Sequence, residues 1–194
     1  IRDARDYVRL AERTNGPVNW PVELAYPWGD ALAELQRAVP DVRIINLETS
    51  VTTQDKPAPK GINYRMNPKN VPCITAAGID CCVLANNHVL DWGRAGCVET
   101  IETLRNAHIK TAGAGRDATQ AASPAVLPTR HGRVLVFAFG SVTSGIPRDW
   151  AATATKPGIN VLSNLSDEGA RRIGRQVRAA RQDNDIVVAS IHWG

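Results

Sequence analysis

Apolar and polar positions along the chain fall into short blocks whose periods alternate between two and about 3.6 residues. The clearest block runs from Ile79 to Ala85 and passes without a break into Asn86, Asn87, His88 and Asp91. A helix-like pattern follows, with Val98, Ile101 and Leu104 spaced to share one face between Gly93 and Ala107. Strand, polar elbow, helix is the layout that places side chains at the carboxyl edge of a parallel sheet, where open α/β proteins build their sites. Other blocks repeat it. Val42 to Leu47 reads as a buried strand ending in Asn46 and Glu48, Val134 to Phe139 as a strand ending in Gly140 and Ser141, and Ile186 to Ile191 as a strand delivering His192. His108 to Ala112 gives a weaker strand.

Helices are predicted between them. A loose pattern at Tyr7, Leu10 and Ala11 is broken by Asn15-Gly16-Pro17. Asp30 is expected to cap a helix bearing Leu32, Leu35 and Val39 on one face, with Pro40 as its stop. Asn67-Pro68 opens a short helix through Val71, Ile74 and Ala77, closed by Gly78. Ser166 or Asp167 starts a basic helix through Ile173, Val177 and Ala180. Thr52 to Arg65 and Ile146 to Leu165 read as loops, the second long enough to suggest a function. The succession predicts an α/β layered fold with a largely parallel sheet flanked by helices. Residues 1–27 form a polar N-terminal segment and 28–194 the α/β domain.

Composition narrows the function classes. The 23 basic and 19 acidic residues leave a formal charge of +4, which favours an anionic ligand only mildly. Basic residues do not cluster with aromatics, so nucleic-acid binding has no support. No apolar run approaches the roughly 18 residues of a membrane span. The four cysteines form no C-x-x-C pair, and Cys81 and Cys82 point to opposite faces of a strand; buried free thiols are expected, which leans toward the cytoplasm. Gly113 to Ala118 matches G-x-G-x-x-A, but no acidic residue follows about 20 positions on, so a tight turn is expected instead. Gly140 to Gly145 does not make a serine nucleophile elbow. The first residue is Ile1 and the last strand stops at His192-Trp193-Gly194, so the chain reads as truncated at both ends.

Three strand ends therefore hand polar groups to one edge: Asn46 and Glu48, then Asn86, Asn87, His88 and Asp91, then His192. A carboxylate, a carboxamide and an imidazole suit Mn, Fe, Zn or Mg. Each residue also has a plainer reading: Glu48 as a loop carboxylate or cap, the two Asn as turn formers, the two His as half-buried and satisfied. His108 and His131 are expected on the surface.

Asn46-Leu47-Glu48, Ala85-Asn86-Asn87-His88 with Asp91 and Gly93, Gly113-Ala114-Gly115 and His192-Trp193-Gly194 occur in an order that resembles the bacterial capsule-synthesis CapA family, the poly-gamma-glutamate biosynthesis proteins. The resemblance runs from about Trp28 to the last residue. That family is similar in fold to calcineurin-like metallophosphatases, which implies a sandwich, here partial, with divalent metal ions at the sheet edge. It implies Glu48, Asn87 and His192 as metal ligands and His88 as the catalytic residue. Asn46, Asn86, Asp91, Lys60 and Arg65 would then meet the substrate, an anionic small molecule or polymer. Two parts of the family's pattern are absent: a Gly-Asp-like motif on an earlier strand and a Gly-His-x-His motif after the last. The implied activity is a metal-dependent, phosphoesterase-like hydrolase in capsule synthesis, with possible partner proteins of a polymer synthase complex and a place at the cell envelope. The alternatives are a catalytically silent polyanion-handling protein of the same fold, or a structural domain whose active half lies elsewhere.

Overall fold

The computed structural model describes residues 4–194. In chain order the elements are α1 (Ala4–Asn15), α2 (Ala31–Ala38), β1 (Ile44–Asn46), β2 (Ser50–Val51), β3 (Arg65–Met66), α3 (Pro72–Thr75), β4 (Cys81–Val83), α4 (Gly93–Asn106), β5 (Lys110–Ala112) and β6 (Ala114–Gly115). Then come α5 (Ala118–Ala122), β7 (Ala125–Thr129), β8 (Gly132–Ser141), β9 (Gly158–Ile159), β10 (Val161–Leu162), α6 (Asp167–Ala180) and β11 (Ile186–His192).

The architecture is mixed α/β with mostly parallel pairing, divided between two principal sheets. One has the order β1-β4-β5, all parallel, with Cys82 opposite Ile45 on one side and Thr111 on the other. The other is built on β8, which pairs in parallel with β11 and β10 and antiparallel with β7. β11 runs beside Val134 to Gly140, so its register leaves the opposite edge of β8 to β7 and β10. Two short ladders, β2-β3 and β6-β9, and an isolated parallel bridge between Ala151 and Ile159 add to this pairing.

β8 shows why a near-continuous apolar run is buried on both faces. Val134, Val136 and Ala138 join the cluster that holds Cys81, Cys82 and Val83 of the first sheet. Leu135, Phe137 and Phe139 face the other way, onto Ile173, Val177 and Ala180 of α6. Burial of each such large side chain contributes about 1.5–3 kcal/mol. Where the chain leaves β5, Gly113 adopts φ +87°, and a Cβ there would lie 2.6 Å from the Ala85 Cβ and 2.7 Å from the Ala138 Cβ. Only glycine satisfies both the backbone and the close approach. Asn160 bridges the layers. Its N–H donates to Gly113 O (2.9 Å), its carbonyl accepts from Gly140 N (3.0 Å), and its side chain donates to Ala138 O (3.1 Å) and accepts from Arg172 Nη2 (3.0 Å).

Several expectations are corrected. Asp30 precedes α2 but makes no capping bond from its side chain. Val39 is not on the packed face. It ends the helix in the left-handed region at φ 43° and is 75% exposed, while Leu32 and Leu35 alone pack inward. The long segment from Ile146 to Leu165 is not structureless: it contributes β9 and β10. By contrast, Asn67 caps through its side chain, accepting from Lys69 N, and Ser166 does so from Gly169 N. His108 and His131 are exposed.

All four cysteines are free. Burial pushes the Cys81, Cys82 and Cys97 thiols up to about 12. A raised thiol pKa means a negligible thiolate fraction near neutrality. In this chain at pH 8, a thiol-specific reagent should therefore label at most Cys73 rapidly, and all four sulfurs only in denaturant. Rapid titration of more than one thiol in the folded state would contradict the packing of β4 and α4.

Candidate functional site

The site is assembled from the bottom up by one buried amide. Asn86 is fully buried and follows β4 directly. Its Nδ2 donates to Asn46 Oδ1 and to Leu47 O, both at 3.0 Å, which ties the end of β1 to the end of β4. Its Oδ1 accepts from His88 N and Val89 N, both at 3.1 Å, and so shapes the elbow that turns the chain toward α4. An Asn holding its own backbone two and three residues on is the local turn chemistry expected of that residue. Ser50 Oγ reaches the carbonyls of His88 and Val89 from β2 and closes the elbow from the other side.

Two groups of side chains project from this frame. In the first, Asn46 Nδ2 donates to Glu48 Oε2 (3.3 Å), Glu48 Oε1 lies 3.7 Å from His192 Nε2, and His192 Nε2 lies 3.2 Å from Asn87 Oδ1. Residues 48, 87 and 192 thus meet although 105 positions separate the last two. The register of β11 on β8 delivers the imidazole, with His192 opposite Gly140. In the second, His88 Nδ1 lies 2.7 Å from Asp91 Oδ2. The carboxylate only accepts, so Nδ1 carries the proton and Nε2 is the nitrogen left for chemistry. Lys60 Nζ donates to Asp91 Oδ1 (2.6 Å) and to the Asn87 carbonyl, and Tyr64 N donates to Asp91 Oδ2 (2.6 Å). The Tyr64 ring lies against the imidazole with centroids 4.3 Å apart.

Two residues expected to meet a substrate are buried inside the protein. Asp91 and Asn86 are 0% exposed, with their polar atoms engaged inside the protein. They position other groups. Lys60 is partly exposed, but its charge is met by Asp91, and Trp150 lies under the ammonium at 5.4 Å. Arg65 is exposed; it stacks on Trp92 at 4.3 Å and donates to Gln54 O, at the rim rather than in the site. Asn46 and Glu48 are exposed, Asn87 and His192 half-buried, and His88 8% exposed.

The donor set can be tested for fit to a cation. Atoms sharing one divalent ion through bonds of about 2.1 Å sit about 3–3.5 Å from each other. The Glu48–His192 and His192–Asn87 separations of 3.7 and 3.2 Å meet that demand with small adjustment. One carboxylate, one amide oxygen and one imidazole fit a hard or borderline ion. Among the described residues no group of three or more His, Cys, Asp or Glu side chains that could hold a metal ion is found, so a set of three donors here has to include Asn87.

A neighbouring wall was not foreseen. The turn after β8, from Ser141 to Gly145, abuts Asn87: a Cβ on Gly145 would lie 3.8 Å from Asn87 Nδ2. The signal was present as Gly140-Ser141 at a strand end, but it lacked any charged residue to mark it.

Comparison with known proteins bears on this arrangement. The chain matches the family described as "Bacterial capsule synthesis protein PGA_cap" over residues 3–194. It is 42% identical over 197 residues to a Mycobacterium tuberculosis protein named "probable polyglutamine synthesis accessory protein", which covers 100% of this chain and 52% of that protein. To the capsule biosynthesis protein CapA of Bacillus anthracis it is 28% identical over 153 residues, covering 77% of this chain and 36% of the other. An uncharacterized protein of Sinorhizobium fredii is 34% identical over 149 residues, 71% of this chain and 32% of its own length. The chain spans about half the length of the first of these curated relatives. No helix among the described residues is long and apolar enough to cross a membrane. With residues 3–194 matched, the chain belongs to the bacterial capsule synthesis protein PGA_cap family.

Proposed function

We propose that the site belongs to a metal-dependent, phosphoesterase-like hydrolase that acts on an anionic substrate in capsule or polyglutamate synthesis. The observation that carries the reading is that His192 Nε2 lies 3.7 Å from Glu48 Oε1 and 3.2 Å from Asn87 Oδ1, three residues delivered by three strand ends. Glu48 Oε1, Asn87 Oδ1 and His192 Nε2 would hold one divalent ion: Mn, Fe, Zn or Mg. Such an ion supplies Lewis acidity toward the scissile group and its attacking water. The chain's own contribution is proton control. With Nδ1–H held by Asp91, which Lys60 also contacts, the imidazolium form of His88 would donate its Nε2 proton to a leaving oxygen or stabilise developing charge there. The low exposure of His88 keeps bulk water from competing for that nitrogen. The word "accessory" in the Mycobacterium relative's name supports work beside the proteins of a polymer synthase complex.

The test is a calorimetric Mn titration of the longest natural form of the chain, with hydrolysis of a chromogenic phosphodiester followed in parallel. His192→Ala should weaken Mn binding by at least about tenfold, since it removes one of three donors. Absence of saturable Mn binding in the unaltered protein would overturn the reading. A second reading rests on the modest donor set: the same cleft binds a polycarboxylate chain without cleaving it. Chelator-insensitive binding of γ-linked oligoglutamate with no hydrolysis would favour that alternative.

A further inference from the structure

The hydrolase reading leaves one polar atom of the site unused. Asn87 directs Oδ1 toward His192, but among the described residues its Nδ2 has no hydrogen-bond partner. Nor is it one of the fully buried side-chain atoms without a partner, which among the described residues are Asn63 Oδ1 and Gln176 Oε1. A half-buried, unengaged N–H₂ beside a carboxylate and an imidazole is a donor waiting for an acceptor.

The turn after β8 is built to keep that donor open. β8 is held close beneath the end of β4: a Cβ on Gly140 would lie 3.0 Å from Ala85 O and 2.4 Å from Ile146 Cδ1. The following residues turn through a short 3₁₀ segment, Val142–Ser144, stabilised by Ser141 Oγ accepting from Thr143 N and by Ser144 Oγ donating to Ser141 O (2.7 Å). Gly145 then adopts φ +80° and accepts no side chain without strain. That bare position is the one that faces Asn87 Nδ2. Thr143, on the same turn, is exposed. Ser141 Oγ and Ser144 Oγ are engaged within the turn, Ser141 Oγ lying 2.9 Å from Thr143 Oγ1, so the turn presents an open face with the Thr143 hydroxyl at its exposed rim and no carboxylate that would repel an anion.

We propose that the turn Ser141–Gly145 forms the oxyanion-contacting wall of the site. Asn87 Nδ2 donates to an anionic oxygen of the ligand, and Gly145 lacks a side chain so that this oxygen can reach it. The ligand chemistry is a phosphoryl or carboxylate oxygen. This inference deepens the hydrolase reading and rests on the same cleft, but it concerns ligand binding and does not require turnover.

Gly145→Asn is the primary variant, because Asn tolerates the left-handed region and its amide would extend toward Asn87. Thr143→Ala, at an exposed position, is the second. Inorganic phosphate and γ-linked tri-glutamate are titrated separately in chelator, while the Asn87 side-chain amide resonances are followed by NMR. The unaltered protein should shift those resonances on saturation with at least one ligand, and the arm that saturates names the source of the oxyanion. Gly145→Asn should weaken that binding at least tenfold and Thr143→Ala severalfold, with the amide spectrum otherwise native. If Gly145→Asn fails to fold, a severalfold loss in Thr143→Ala still supports the wall, and unchanged affinity there overturns it. Unchanged affinity in a folded Gly145→Asn, or no shift of the Asn87 amide with either ligand, also overturns it. Chelator-independent binding here with no Mn binding in the earlier titration would sink the hydrolase and leave the wall standing.

Discussion

Asp91→Ala should destabilise the folded protein by about 3 kcal/mol, the lower part of the range for removing one partner of a buried ion pair. The carboxylate is fully buried and accepts from Lys60 Nζ, His88 Nδ1 and Tyr64 N within 2.7 Å. Its removal leaves a positive charge and a backbone N–H without their acceptor in a site that admits little water. Lys60 retains 25% exposure, so part of its charge can turn to solvent, which sets the effect below the upper limit of about 5 kcal/mol. Asp91→Asn keeps the shape and one acceptor and should cost less. Urea unfolding of the three proteins measures this directly. A loss below about 1 kcal/mol in the alanine variant, the level of an exposed pair, would show that Lys60 and His88 do not depend on the carboxylate.

His88→Ala should lower kcat for phosphodiester hydrolysis by about 10²–10⁴, the usual contribution of a positioned general acid or base. Mn affinity should stay as in the unaltered protein, because Nδ1 is committed to Asp91 and the ring is not one of the three donors proposed to hold the ion. This split between turnover and metal affinity separates His88 from His192, whose removal should affect both. Asp91→Asn should also reduce kcat, because it changes the group that holds the imidazole in place. Turnover in His88→Ala within about threefold of the unaltered protein would remove the proposed acid–base role altogether.

Much of this site was legible because its parts sit at the ends of periodic runs. β4 and β8 announce themselves as apolar blocks, and the elbow after β4 collects Asn86, Asn87, His88 and Asp91 in six positions. α4 and α6 follow from residues three and four apart. The unread parts share a physical cause. β2, β3, β6, β9 and β10 are two residues long, too short to show any period. β7 alternates Ala125 and Leu127 inward with Val126 and Pro128 outward, but its proline weakens the strand signal. The burial of Asp91 could not be read locally, because an aspartate defaults to the surface unless paired, and its partner Lys60 lies 31 positions away. The stacking of the Arg65 guanidinium on Trp92 was equally unreadable, because the two positions are 27 residues apart.

Asn160 carries a final implication. It touches neither Glu48 nor His192, yet its hydrogen bonds fasten the exit of the first sheet to β8, the strand on which β11 lies, and to α6. Glu48 arrives from one side of that joint and His192 from the other. The gap in which a cation would sit is therefore calibrated by a buried amide remote from the chemistry. A substitution at position 160 could therefore shift the spacing of Glu48 and His192 while both side chains stay the same.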